Sequence, residues 1–80
     1  MLLSMDDHEA EFLKRLGEEV RTRRRARGWS QEDLAGESGT HVNQVSLIER
    51  SGVNASLRVT RRVAAALGLK LSELLETVGE

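Results

Sequence analysis

Three glycines, Gly28, Gly39 and Gly68, punctuate a chain that is otherwise rich in helix-favouring residues, and this punctuation limits the fold more than any other feature. Glycine enters the left-handed turn conformation without a Cβ penalty, so it is a natural stop between helices. Between the stops there is no proline to break a helix, and tyrosine is absent, with one phenylalanine and one tryptophan. Alanine, leucine, arginine and glutamate dominate instead, which favours helix over strand. The expected fold class is therefore all-α. Eighty residues can close one hydrophobic core and not two, so the chain reads as one domain, 1–80, with its core in 11–78 and residues 1–5 frayed.

Five helices follow from caps and apolar spacing. Phe12, Leu13, Leu16 and Val20, with Ala26 extending the pattern, form one stripe on a first helix expected from Asp6 to Arg27 and closed by Gly28. Ser30 followed by Asp33 is a start signal, because the hydroxyl can accept from an orphan N–H of the first turn. A second helix is expected over Gln31–Ser38, ended by Gly39. Thr40 or His41 can cap a third, Val42–Glu49, whose Val45 and Ile48 face Leu34 and Ala35. After a loop at 51–55, Ser56 caps a fourth helix expected to turn Leu57, Val63, Ala64 and Leu67 inward, with Gly68 closing it. A short fifth helix is expected to start at Ser72.

The formal net charge is −1, but the charges are sorted along the chain. Asp6, Asp7, Glu9, Glu11, Glu18 and Glu19 occupy the N-terminal end and Glu73, Glu76 and Glu80 the C-terminal end, while Arg21, Arg23, Arg24, Arg25 and Arg27 cluster between them. Part of this sorting suits the dipole of the first helix, so these arginines read more readily as a solvated face than as an anion-binding zone. With no cysteine there is no disulfide framework and no thiolate metal site, and His8 and His41 stand too far apart to imply a metal pair. No metal or other cofactor is expected. Neither a nucleophile–histidine–acid set nor a phosphate-cradling glycine loop is present, so an enzyme is not expected. The apolar start, Met1–Met5, is too short for a signal sequence or a membrane span, which points to a soluble cytoplasmic protein.

The segment Ser30–Glu49, SQEDLAGESGTHVNQVSLIE, has the order and length of a helix-turn-helix: capped helix, glycine turn, second helix. With this segment in place, residues Leu16–Leu75, about three quarters of the chain, resemble the lambda-repressor/Cro-like family, also called the xenobiotic-response-element type. The likeness is carried by Ser30-Gln31, Leu34-Ala35, Gly39, Val45, Ile48-Glu49, Ser56-Leu57, Ala66-Leu67-Gly68 and Ser72-Glu73-Leu74. It implies a five-helix DNA-binding domain whose third helix enters the major groove of double-stranded DNA while the start of the second rests on the phosphate backbone.

Side-chain chemistry agrees with those placements. Gln31 puts an amide donor beside free backbone N–H groups at a positive helix end, where a phosphate oxygen can bind, although it also reads as a plain polar first-turn residue. On the third helix, Val42, Asn43, Ser46, Leu47 and Arg50 point outward, with Gln44 flanking. Asn43 and Gln44 can each pair with an adenine edge, and Val42 can pack on a thymine methyl. Both also read as ordinary surface amides. His41 caps the third helix or touches phosphate, and Asn54 and Ser56 are phosphate candidates at the fourth helix start. The resemblance further implies an ion pair between Arg24 and Glu49. Leu47, Val42 and Trp29 depart from the residues usual in the family; Trp29 is read as core, and Leu47 as a base or sugar contact or as part of a protein-binding patch.

One such module reads about half of an operator, so the expectation is a homodimer on a palindromic site with half-sites roughly 34 Å apart. Leu69, Leu71, Leu75 and Val78 exceed what a small core needs and are assigned to the dimer surface. A repressor or restriction-modification controller is expected. The alternatives are an antitoxin regulating its own gene, and an adaptor whose Val42 and Leu47 bind a protein partner after loss of DNA binding.

Overall fold

The computed structural model describes residues 7–50 and 56–79. In chain order the helices are α1 (Asp7–Ala26), α2 (Gln31–Ser38), α3 (Val42–Arg50), α4 (Leu57–Ala66) and α5 (Leu71–Thr77), with no strand among the described residues. They surround one core of Leu16, Val20, Leu34, Ala35, Val45, Ile48, Val63, Ala64, Leu67, Leu74 and Val78, against which Phe12, Trp29, Val42, Val59, Ala66 and Leu69 pack half-buried.

Local chemistry explains where α2 begins and ends. Ser30 Oγ accepts from the Asp33 N–H at 3.0 Å, and the Asp33 carboxylate accepts from the Ser30 N–H at 2.9 Å, so two donors at the helix start are satisfied reciprocally. At the other end Gly39 has φ +69, a left-handed conformation costly for any residue with a Cβ, and the Thr40 N–H closes back onto the Ala35 carbonyl at 3.0 Å. The turn therefore sends α3 across α2, and Leu34, Val45 and Ile48 lock the two together with no solvent exposure.

Four sequence expectations are corrected. Leu57 is 72% exposed: the buried stripe of α4 runs through Thr60, Val63, Ala64 and Leu67, and Leu57 lies at its edge in the first helical position. Helix α5 starts at Leu71 and not at Ser72, because the Glu73 carboxylate reaches back to accept from the Lys70 N–H at 2.7 Å. Val78 is 3% exposed and belongs to the core of its own chain, so its side chain is not available to a dimer surface. Ala26 is exposed, as α1 gives way to the Arg27–Gly28 turn.

That turn is tied to the end of α4, 40 residues on in the sequence. Arg27 donates to the Leu67 carbonyl at 3.1 Å, at the end of α4, and its guanidinium lies 5.0 Å from the centre of the Trp29 ring. Trp29 is half-buried against the core.

Candidate nucleic-acid interface

The stripe Leu16, Val20, Arg24 on α1 begins apolar and ends in a buried guanidinium. Arg24 meets the last turn of α3 at Glu49, which is 2% exposed. The contact is two-pronged: Arg24 Nε donates to Glu49 Oε2 at 2.6 Å and Nη2 to Oε1 at 3.0 Å, while Nη1 donates to the Trp29 carbonyl at 2.7 Å. Arg21 Nη2 donates to the Glu49 main-chain carbonyl at 3.0 Å, and its Nε stands 3.7 Å from Glu49 Oε1. Gln31 Nε2, in the first turn of α2, donates to the same Oε1 at 3.1 Å.

Glu49 thus joins α1, α2 and α3. Burial on its own would raise its carboxyl, but hydrogen bonds from Arg24 and Gln31 and the charges of Arg24 and Arg21 outweigh it and hold the group below its usual range. The Glu49 hydrogen bond raises Arg24 in turn against the opposing effect of burial. Every buried side-chain nitrogen and oxygen among the described residues has a partner. The consequence for Gln31 is orientation: one amide hydrogen is committed to Glu49, and the other remains for a ligand at the start of α2.

On α3, Val45, Ile48 and Glu49 are buried. Asn43 and Arg50 are exposed, and Val42, Gln44, Ser46 and Leu47 are half-buried. Exposed His41 precedes the helix, and its carbonyl accepts from the N–H of Gln44 at 2.9 Å. The cap side chain is not the histidine ring: Gln44 Oε1 accepts from the His41 N–H at 3.0 Å. Gln44 is therefore committed to the helix start, and a bidentate contact with adenine, which needs both its oxygen and its nitrogen, would break that cap. Asn43 keeps its amide for a partner. Ser56 caps α4 by accepting from the Val59 N–H at 3.1 Å, and Asn54 lies outside the described residues.

Leu69, Leu71 and Leu75 are half-buried. The described residues contain no group of three histidine, cysteine or acidic side chains placed to hold a metal, and no described helix is long and apolar enough to cross a membrane. In the sequence alone Arg21 is one member of a basic cluster with the character of a solvated face. Its position three residues before Arg24, hence on the same side of α1, was the signal that it shares the Glu49 contact.

A helix-turn-helix family model matches residues 20–74, from the middle of α1 into α5. A hypothetical transcription factor of Neisseria meningitidis is 43% identical over 49 residues, covering 61% of this chain and 46% of that protein, so the chain spans about half the length of that relative. The solved structure of the Neisseria hypothetical transcription factor NHTF is similar with a TM-score of 0.73 and 35% identity, over 94% of this chain and 86% of the other. A mutant of the restriction-modification controller protein C.Esp1396I superimposes with a TM-score of 0.76 over 84% of this chain and 87% of its own; at 24% identity this likeness concerns the fold. With its five helices, its capped α2–turn–α3 unit and the family match over most of its length, the chain belongs to the lambda-repressor/Cro-like helix-turn-helix family of DNA-binding transcription regulators.

Proposed function

We propose that this protein is a sequence-specific transcription regulator that binds a palindromic operator as a homodimer, with a repressor or restriction-modification controller as its biological type. The observation that carries the proposal is the pairing of two DNA-facing features through one buried residue. Glu49 orients the Gln31 amide at the start of α2, where a phosphate oxygen would be met by free N–H groups, and it closes the helix that presents Asn43, Ser46, Leu47 and Arg50. Asn43 is assigned to base reading, with Val42 and Leu47 against thymine methyls or sugars. His41, Arg50, Ser56 and Asn54 are assigned to the phosphate backbone. Half-buried Leu69, Leu71 and Leu75 supply the apolar part of the dimer surface. The similarity to a restriction-modification controller supports that type, and a cytoplasmic site of action without catalysis goes with it.

Selection from random duplex DNA by the purified protein, at low and near-physiological salt, tests the reading, because phosphate-driven affinity falls steeply with salt. A two-fold symmetric enriched sequence is expected. No enrichment at either salt would replace this reading with the adaptor, in which Val42 and Leu47 meet a protein.

A further inference from the structure

Gly17 lies near the middle of the 20-residue α1, where glycine costs about 1 kcal/mol relative to alanine. Its backbone does not explain the choice, since its φ is not among the positive values found at Gly28, Gly39, Gly68 and Gly79. Space does. A Cβ at Gly17 would overlap the Ile48 carbonyl oxygen, stand 2.7 Å from the Glu49 carbonyl oxygen and 3.0 Å from the Glu49 carbonyl carbon. All three are backbone atoms, so no side chain can swing aside. These carbonyls belong to the last turn of α3, whose oxygens have no partner within the helix. Arg21 answers one of them from the next turn of α1, donating to the Glu49 oxygen at 3.0 Å, and Arg24 holds the Glu49 carboxylate one turn further on. Positions 17, 21 and 24 share one side of α1, so close approach, backbone hydrogen bond and two-pronged ion pair grip the same helix end.

We propose that this face of α1 sets the pitch of α3 against the phosphate-facing start of α2, making Gly17 and Arg21 positioning residues for base discrimination; the inference rests on the DNA-binding reading above. Asn43 stands six residues before Glu49, roughly 9 Å along the helix axis. A shift at the gripped end is therefore carried to the tip that reads bases. Base hydrogen bonds lose strength over a few tenths of an ångström and with misalignment. Phosphate contacts from Gln31 on α2 and Ser56 before α4 lie off the tilted helix, and Arg50 can readjust along its long stem, so backbone contact tolerates such a shift. Disturbing the grip should lower sequence preference and leave non-specific affinity in place.

The experiment compares affinity for the duplex enriched by selection with affinity for a scrambled duplex, across a salt series, for the unmodified protein, Gly17→Ala, Arg21→Ala and Arg21→Lys. Leu74→Ala, a core truncation on α5, controls for destabilisation alone; all are measured well below their melting temperatures. Gly17→Ala and Arg21→Ala are expected to lower the preference about tenfold or more, the scale of one lost base contact, with scrambled-duplex affinity and salt slope unchanged. Arg21→Lys, whose ammonium can still donate to the Glu49 carbonyl, should recover part of the preference, and Leu74→Ala should keep it. Preference surviving in both Arg21→Ala and a folded Gly17→Ala overturns the inference; if Gly17→Ala does not fold, Arg21→Ala decides alone. Equal weakening of both duplexes by Arg21→Ala, with a salt slope shallower by about one, overturns it in favour of a direct Arg21–phosphate contact. If the unmodified protein prefers no duplex, the DNA reading itself fails.

Discussion

At the scale of single residues, the Glu49 carboxylate is where charge, burial and ligand geometry meet. Its folded-state proton affinity is lower than its unfolded one, so its contribution to stability is complete above its ordinary value near 4.5 and is lost as pH falls through the lower folded value. Removing Arg24 leaves a buried carboxylate held by Arg21 and Gln31 only. Arg24→Met should then cost about 3 kcal/mol at neutral pH, and the loss of stability on acidification should shrink, because burial no longer meets full opposition. Urea denaturation from pH 7 to 3 measures both, and an acid-side slope unchanged from the unmodified protein would contradict the account. The two neighbouring amides of α3 should separate in the same way. Asn43→Ala should relax preference at one base position at about 1–3 kcal/mol, whereas Gln44→Ala should lower helix stability with little change in base preference, as read by repeated selection. Gln31→Ala should weaken all duplexes alike. The roles of Gln44 and Gln31 were only half legible: the first was hidden because histidine at the N-cap offers no hydroxyl to announce a capping box, the second because its partner lies 18 residues away.

At the scale of helices, the bounds of α2 matched the sequence expectation because both are set by neighbours in sequence. Ser30 and Asp33 cap each other across three residues, and Gly39 turns left-handed on its own. Ser30→Ala should lower stability by about 1 kcal/mol, a fall in melting temperature of roughly 4–8 °C for a domain of this size. A thermal melt checks it, and no change would mean that the cap is redundant with the packing of Leu34. The start of α5 was displaced by one residue because a glutamate reaching back from Glu73 decides the cap, and Ser72, though a good capping type, falls inside the helix. The positions of Leu57 and Val78 were illegible for a different reason: apolar type predicts burial somewhere, while the packing of α4 and α5 decides whether it is against the chain's own core.

For the molecule as a whole, fold class and family were legible because caps, glycine stops and apolar spacing agreed at every level. The arrangement around Glu49 was not, since it needs three helices to converge before its geometry exists. That convergence also governs how the structure comes apart. The first turn of α2 and the last turn of α3 meet at one buried side chain, beside the core contact of Leu34 with Val45 and Ile48, so the two helices are expected to detach together. In native-state hydrogen exchange, the amides of α3 and the protected amides of α2 should open as one cooperative unit with a shared free energy, and Arg24→Met should lower both together. Joint opening left unchanged by Arg24→Met would show that Leu34, Val45 and Ile48 hold the two helices together without the Glu49 contact. The surface offered to a ligand would then behave as a single rigid plate, whose order is established when the chain folds and is not postponed to the moment of encounter.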